Sequence, residues 1–242
     1  YKTLDVKCDH SLIPLPEVQL VGGGAHAQWR TDIQDFLLIV NGATTYDECL
    51  EVTYNIYQAG EKILKSRGLL AGCADEGGFW PSFNSHDEIF KFVIEAIEKA
   101  NYVPGRDVSL SLDIAASDLY RDNKYHLPLD GKSFTPEEFL QQILIWCEKY
   151  HVLSIEDPFA DTDEAMWQAL TAQIGDTVQI IGDDLFTTNK TRIEHGIKNK
   201  LANSVLIKIN QSGTVSETID AIHLTQKAGW LPVVSARSGE SE

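Results

Sequence analysis

Val152-Leu153-Ser154-Ile155-Glu156 and Val178-Gln179-Ile180-Ile181-Gly182-Asp183 share one plan, a short apolar run that stops on a carboxylate. Three further apolar runs also end at an ionisable or small polar residue. The run 108–114 carries Asp113, 204–209 carries Lys208 and leads to Asn210, and 230–234 leads to Ser235 and Arg237. All five are apolar at nearly every position instead of alternating, which suits parallel strands buried on both faces. Helical patterns separate them, and alternating strand and helix argues for βαβ units. The expected fold class is therefore α/β, and a barrel fits a chain of 242 residues with 43% hydrophobic content read as one domain, 1–242. In a barrel, every strand's C-terminal end points to one face, which carries the chemistry.

The helix boundaries are written in capping chemistry. Ser85 precedes apolar positions Ile89, Phe90, Val93, Ala96, Ile97 and Ala100, and Glu88 stands where a capping box needs it. Thr135-Pro136-Glu137-Glu138 repeats the logic with Pro136 at the first helical position. Phe139, Leu140, Ile143, Leu144 and Cys147 then give one apolar face. A third helix is expected over 46–65, closed nearby by Gly68.

The formal charge of −16 repels nucleic acid phosphates and anionic membranes, so neither is an expected partner. No apolar stretch reaches the ~18 residues that span a bilayer, and the first residues lack the apolar run of a signal peptide, so the expected location is cytoplasmic. Cys8, Cys49, Cys73 and Cys147 lie far apart with no C-x-x-C pair, which reads as reduced thiols without a zinc site.

Asp113, Glu156 and Asp183 at successive strand ends need countercharge. An oxygen-rich anionic site suits Mg²⁺ or Mn²⁺. Such a metal polarises a substrate carboxylate, and Lys208, one strand on, would take a proton from the adjacent carbon. A basic lysine must be neutral, and positive neighbours, the metal and Arg237, are expected to lower its pKa. Asp157 and Asp184 are either supports for the ligands or ordinary helix caps. Cys73-Ala74-Asp75-Glu76-Gly77-Gly78-Phe79 reads either as a plain turn or as a Gly-hinged loop presenting Glu76 as a general acid. Gly22-Gly23-Gly24-Ala25-His26 is a loop that could carry His26 to the site, and it lacks the G-K-[ST] ending of a phosphate-binding loop.

Several strings resemble the enolase family. Asp75-Glu76-Gly77-Gly78-Phe79 looks like its DEGGF block, and Gly23-Gly24-Ala25-His26-Ala27 with Gln34-Asp35-Phe36 looks like its GGxHAxN…QEF segment. Leu112 to Ser117, Ser154 to Phe159, Gly182 to Leu185, Leu206 to Thr214 and Ser235 to Glu240 are similar to the LDxAAS, SIEDPF, GDDL, LLKxNQIGT and SHRSGE blocks, in the family's order. The resemblance implies a (β/α)8 TIM-type barrel of the enolase kind and a Mg²⁺-dependent lyase that dehydrates 2-phosphoglycerate to phosphoenolpyruvate in glycolysis. Asp113, Glu156 and Asp183 would hold the first Mg²⁺, and a second would bind with substrate. Lys208 would take the C2 proton, and Glu76 would help the C3 hydroxyl leave. His26, Gln34, Asp35, Arg237 and Ser238 would surround the substrate, with Arg237 near its phosphate. The family also implies a homodimer.

The chain departs from the pattern at Ala236, where the family carries histidine, at Trp29 for asparagine, and at Asp35 for glutamate. It is expected to lack the family's N-terminal lid domain and to be incomplete at the C-terminal end of the barrel. Two alternatives stay open: a sugar-acid dehydratase or racemase of the wider superfamily, and a non-catalytic paralogue or fragment with a binding or structural role.

Overall fold

The structure is a computed structural model that describes residues 13–237. Two strands open the chain, β1 (Glu17–Gly22) and β2 (Asp35–Ile39), followed by helix α1 (Tyr46–Arg67). A hairpin of β3 (Leu70–Cys73) and β4 (Phe79–Pro81) leads into α2 (His86–Lys99) and β5 (Ser109–Asp113). Three short strands, β6 (Tyr120–Arg121), β7 (Lys124–Leu127) and β8 (Lys132–Phe134), form a separate small sheet. Regular alternation then runs through α3 (Pro136–Tyr150), β9 (Val152–Glu156), α4 (Glu164–Ile174), β10 (Gln179–Gly182), α5 (Lys190–Asn199), β11 (Ser204–Ile207), the single turn α6 (Ile209–Ser212), α7 (Val215–Lys227) and β12 (Leu231–Val234).

The large sheet has the order β12-β11-β10-β9-β5-β2-β1-β4-β3. From β5 to β12 every neighbouring pair is parallel, and these five strands are the five apolar runs of the sequence. Strands β5 and β11 are buried at every position, as strands covered on both faces must be. Strand β12 differs: Leu231 and Val234 are exposed, because β12 is the last strand of the sheet among the described residues. The other half departs from simple alternation. Strand β2 is antiparallel to both β1 and β5, so two strands precede the first helix.

The expected caps are present, with one refinement. Thr135 and Glu138 exchange hydrogen bonds in a complete capping box. The Ser85 hydroxyl accepts from the Glu88 amide, but the Glu88 carboxylate turns to the Asn84 amide at 2.9 Å instead of Ser85. Helix α1 ends where Gly68 adopts φ 67°, a left-handed conformation that costs glycine nothing. One continuous apolar core joins both halves of the sheet to the helices. Cys49, Cys73 and Cys147 are free thiols, and Cys8 lies outside the described residues. Among the described residues no helix is long and apolar enough to cross a membrane.

Tyr125 ties the small sheet to this core. Its ring stacks on Phe139 with centroids 4.6 Å apart and meets the edge of Phe159. Its buried hydroxyl donates to Asp163 at 2.9 Å and accepts from the Ala160 amide at 3.1 Å. Removing that oxygen orphans a buried N–H while leaving the ring contacts in place. Tyr125→Phe should therefore lower unfolding free energy by about 1–3 kcal/mol, measurable in urea titration.

Candidate functional site

Strand direction decides which residues meet. Asp113 ends β5 and Glu156 ends β9, and the two are register partners in a parallel pair. Asp183 and Lys208 directly follow β10 and β11, on the same face. Because β2 runs the other way, its first residue, Asp35, pairs with Asp113 and reaches that face too. A cleft of about 320 Å³ opens there, lined in part by Gln34, Asp35, Glu76, Asp113, Glu156 and Lys208. Ser235, Ala236 and Arg237 close its far side. Arg237 donates to the Asn210 side chain at 3.4 Å.

On one wall the Gln34 amide donates to Asp113 at 2.8 Å, and the Ala115 backbone N–H donates to the other Asp113 oxygen at 3.0 Å. Beside it, Gln19 projects from β1 and donates to Asp35 and to Glu76. On the opposite wall, Lys208 Nζ lies 2.6 Å from Asp183 Oδ2, and Gln211 Nε2 lies 2.7 Å from Asp183 Oδ1. Thr188 aligns both ends of that arrangement: its hydroxyl accepts from the Lys208 amide and donates to the Gln211 side chain.

Asp157 is buried, and its two oxygens accept from the backbone amides of Asp183 and Asp184 at 2.9 and 2.8 Å. Of the two readings open from sequence, the supporting one holds, since these bonds set the turn that aims Asp183. Among the described residues, Asp157, Asp183 and Asp184 are the acidic trio whose oxygens lie within 4.8 Å of one another. Only Asp183 is common to that trio and the expected ligands. Asp157 has both oxygens committed to backbone and does not line the cleft, whereas Asp113 and Glu156 do.

The electrostatics follow from crowding at low dielectric. Burial, then the Asp35, Asp157 and Asp183 charges, pushes Asp113 well above the usual carboxylate range. Burial, then Asp113 and its acidic neighbours, does the same to Glu156. Asp35 is raised to about 7 by burial and by the nearby Glu76 charge. For Lys208, burial favours the neutral amine, but Asp183 and then Glu156 and Asp113 outweigh it, so the net direction is up. The expected lowering relied on a metal's positive charge as well as Arg237; from the chain's own charges alone, the carboxylates around the ammonium dominate. Such a set of carboxylates with one ammonium suits a hard divalent cation, whose charge relieves the repulsion.

Residues 10–242 match the family model described as "Enolase, C-terminal TIM barrel domain". The chain belongs to the enolase family. It is 47% identical over 233 residues to "Enolase 1" of Desulfitobacterium hafniense (strain Y51), a match that covers 95% of this chain and 53% of that protein. The chain thus spans about half the length of the curated relative it matches.

Within this enolase barrel the structure brings Gln34, Asp35, Glu76, Asp113, Glu156, Lys208 and Arg237 to one cleft. Asp183 joins them through Lys208. His26 belongs to a short turn, Ala25–Ala27, with its side chain outside the described part, and Ser238 lies outside the described residues. Trp29 lines a different depression, with Asp32, Arg121 and His126. Sequence reading missed Gln19 and Thr188 and gave Gln211 no role. The signal for Gln19 was an amide inside an otherwise apolar run, Val18 to Val21.

Two measurements check this geometry. Asp157→Ala removes the acceptor of two partly buried N–H groups at a cost of about 1–3 kcal/mol, whereas Asp157→Asn, keeping one acceptor, should cost about half as much in urea unfolding. The second concerns Asp35. An acid raised to about 7 in the folded protein contributes most below its unfolded value and loses that contribution as pH rises through 7. Asp35→Asn should therefore stabilise the protein relative to wild type at pH 8 and lose that advantage at pH 4.

Proposed function

We propose that this chain is the barrel portion of a magnesium-dependent lyase that interconverts 2-phosphoglycerate and phosphoenolpyruvate in glycolysis, working as one domain in a cytoplasmic homodimer. The observation that carries the reading is the gathering of Lys208 and Glu76 with Asp113 and Glu156 around one cleft. Asp113, Glu156 and Asp183 would hold the metal, and the family implies a second Mg²⁺ that enters with substrate. When bound, the metal supplies positive charge that stabilises the extra negative charge on the substrate carboxylate as the C2 proton leaves.

The chain's own residues do the proton work. Lys208 takes the C2 proton as a neutral amine, so its ammonium must first give up a proton and its hold on Asp183 at 2.6 Å must loosen. Glu76, on an exposed turn at the cleft's rim, delivers a proton to the departing C3 hydroxyl. The buried Asp35 and Gln34 orient the substrate, with His26, Arg237 and Ser238 around it and Arg237 toward the phosphate. The metal ions that the cleft's carboxylates would hold, with Lys208 and Arg237, would supply the local positive charge an acidic protein needs to take a phosphorylated acid.

The test is release of phosphoenolpyruvate, followed by its ultraviolet absorbance, when the natural full-length protein meets Mg²⁺ and 2-phosphoglycerate. Activity should disappear with a chelator and return with Mg²⁺. Lys208→Ala should lower kcat by a factor on the order of 10²–10⁴. A wild-type rate no higher than that of Lys208→Ala would defeat the lyase reading. One observation favours a second reading, a non-catalytic enolase paralogue: Ala236 lines the cleft where the family carries histidine. In that case calorimetry would detect no joint binding of Mg²⁺ and substrate.

A further inference from the structure

We infer that Gln19 is a positioning residue that holds the Glu76 loop in register with Asp35 and so sets the proton delivery to the leaving hydroxyl. This rests on the proposed lyase reading. The side chain is buried on β1. Its oxygen accepts from the Gly78 backbone N–H at 2.8 Å. That bond orients the amide and turns its NH₂ toward the acids, where one nitrogen donates to Asp35 and, at 3.4 Å, to Glu76. Two carboxylates that repel each other are thus bridged by one neutral donor.

The slot around the amide is built for it. A Cβ on Gly78 would lie 2.6 Å from the Gln19 Oε1, and a Cβ on Gly22 would lie 3.2 Å from Nε2 and 2.4 Å from the Ala74 Cβ. The loop itself is closed from outside by short bonds. The Ala74 amide donates to the Gly78 carbonyl at 2.7 Å, and Tyr57 and Cys73 both donate to the Gly77 carbonyl, at 2.8 and 3.0 Å. Gln19 is the inner anchor that fixes where this closed loop sits relative to the cleft.

The test uses Gln19→Leu, Gln19→Asn and Gly78→Ala in the natural full-length protein, with two reactions followed in parallel. Exchange of the C2 hydrogen of 2-phosphoglycerate with solvent reads Lys208; phosphoenolpyruvate formation also needs Glu76. Gln19→Leu should lower kcat for dehydration by a factor on the order of 10² more than it lowers C2 exchange. Gly78→Ala, which displaces the amide, should reproduce that split, and Gln19→Asn should recover part of the loss. The Gly78 amide should also exchange with deuterium faster in Gln19→Leu. Wild-type dehydration by Gln19→Leu, or equal loss of both reactions in a variant that melts like wild type, overturns the assignment. If Gln19→Leu does not fold, Gly78→Ala and Gln19→Asn decide it. A wild-type protein that dehydrates nothing refutes the lyase reading instead, and Gly78 amide exchange then decides whether Gln19 anchors the loop.

Discussion

Carboxylates gathered at the ends of buried strands repel one another more strongly than in water, and the rest of this site is arranged around that repulsion. Asp113, Glu156, Asp183 and Asp35 are delivered by four strands to one face. Three of them are matched to donors that limit their freedom: Gln34 and the Ala115 amide for Asp113, Lys208 and Gln211 for Asp183, Gln19 for Asp35. Neutral amides predominate among these donors. They orient oxygen atoms without cancelling charge, which leaves the negative potential available to a cation.

Lys208 is the exception, and its position explains a tension in the site. An ammonium that is well paired is a poor base, and here the pairing raises its pKa despite burial. The same contact keeps the side chain in a defined rotamer, aimed between Asp183 and the cleft. As the proposed base, Lys208 would thus trade readiness for placement. In the proposed reaction, a cation bound at Asp183 would compete with Lys208 for that carboxylate, so cation binding and proton abstraction would draw on one shared group.

The half of the fold from β5 to β12 was legible because parallel strands covered on both faces must be apolar at most positions, and polar residues can then appear only at their ends. That rule exposed Asp113, Glu156, Asp183 and Lys208. It was silent on direction, so the antiparallel β2 was hidden: Asp35 reads the same whether it starts or ends a strand. Capping chemistry located α2 and α3 well, since Ser85 and Thr135 accept from the third residue onward. The Glu88 partner was misread because an exposed carboxylate can choose between adjacent amides. Gln19 was hidden for a different reason. Its value lies in contacts with residues far along the chain, and no local pattern announces a buried amide's partners.

The reversed direction of β2 also distributes evolutionary freedom unevenly between the two mouths of the sheet. At the cleft the chain enters β2 through 23–34; at the opposite mouth it leaves through 40–45. The exit is tightly fastened, because the Gly42 amide donates to the Asp107 carbonyl at 2.9 Å and a Cβ there would come within 2.8 Å of Asp107. Lengthening that exit would disturb packing without touching the ligand pocket. The entry segment is fastened as well, the Gly23 amide donating to the Gln34 carbonyl at 2.6 Å and the Gly24 amide to the Thr31 carbonyl at 2.8 Å, but it borders the pocket through Gln34, so a change there remodels the pocket's rim. Diversification of recognition in this lineage, and any attempt to redesign it, therefore has its natural handle in the segment before β2, opposite to the strand-exit loops that serve this purpose elsewhere in the same barrel.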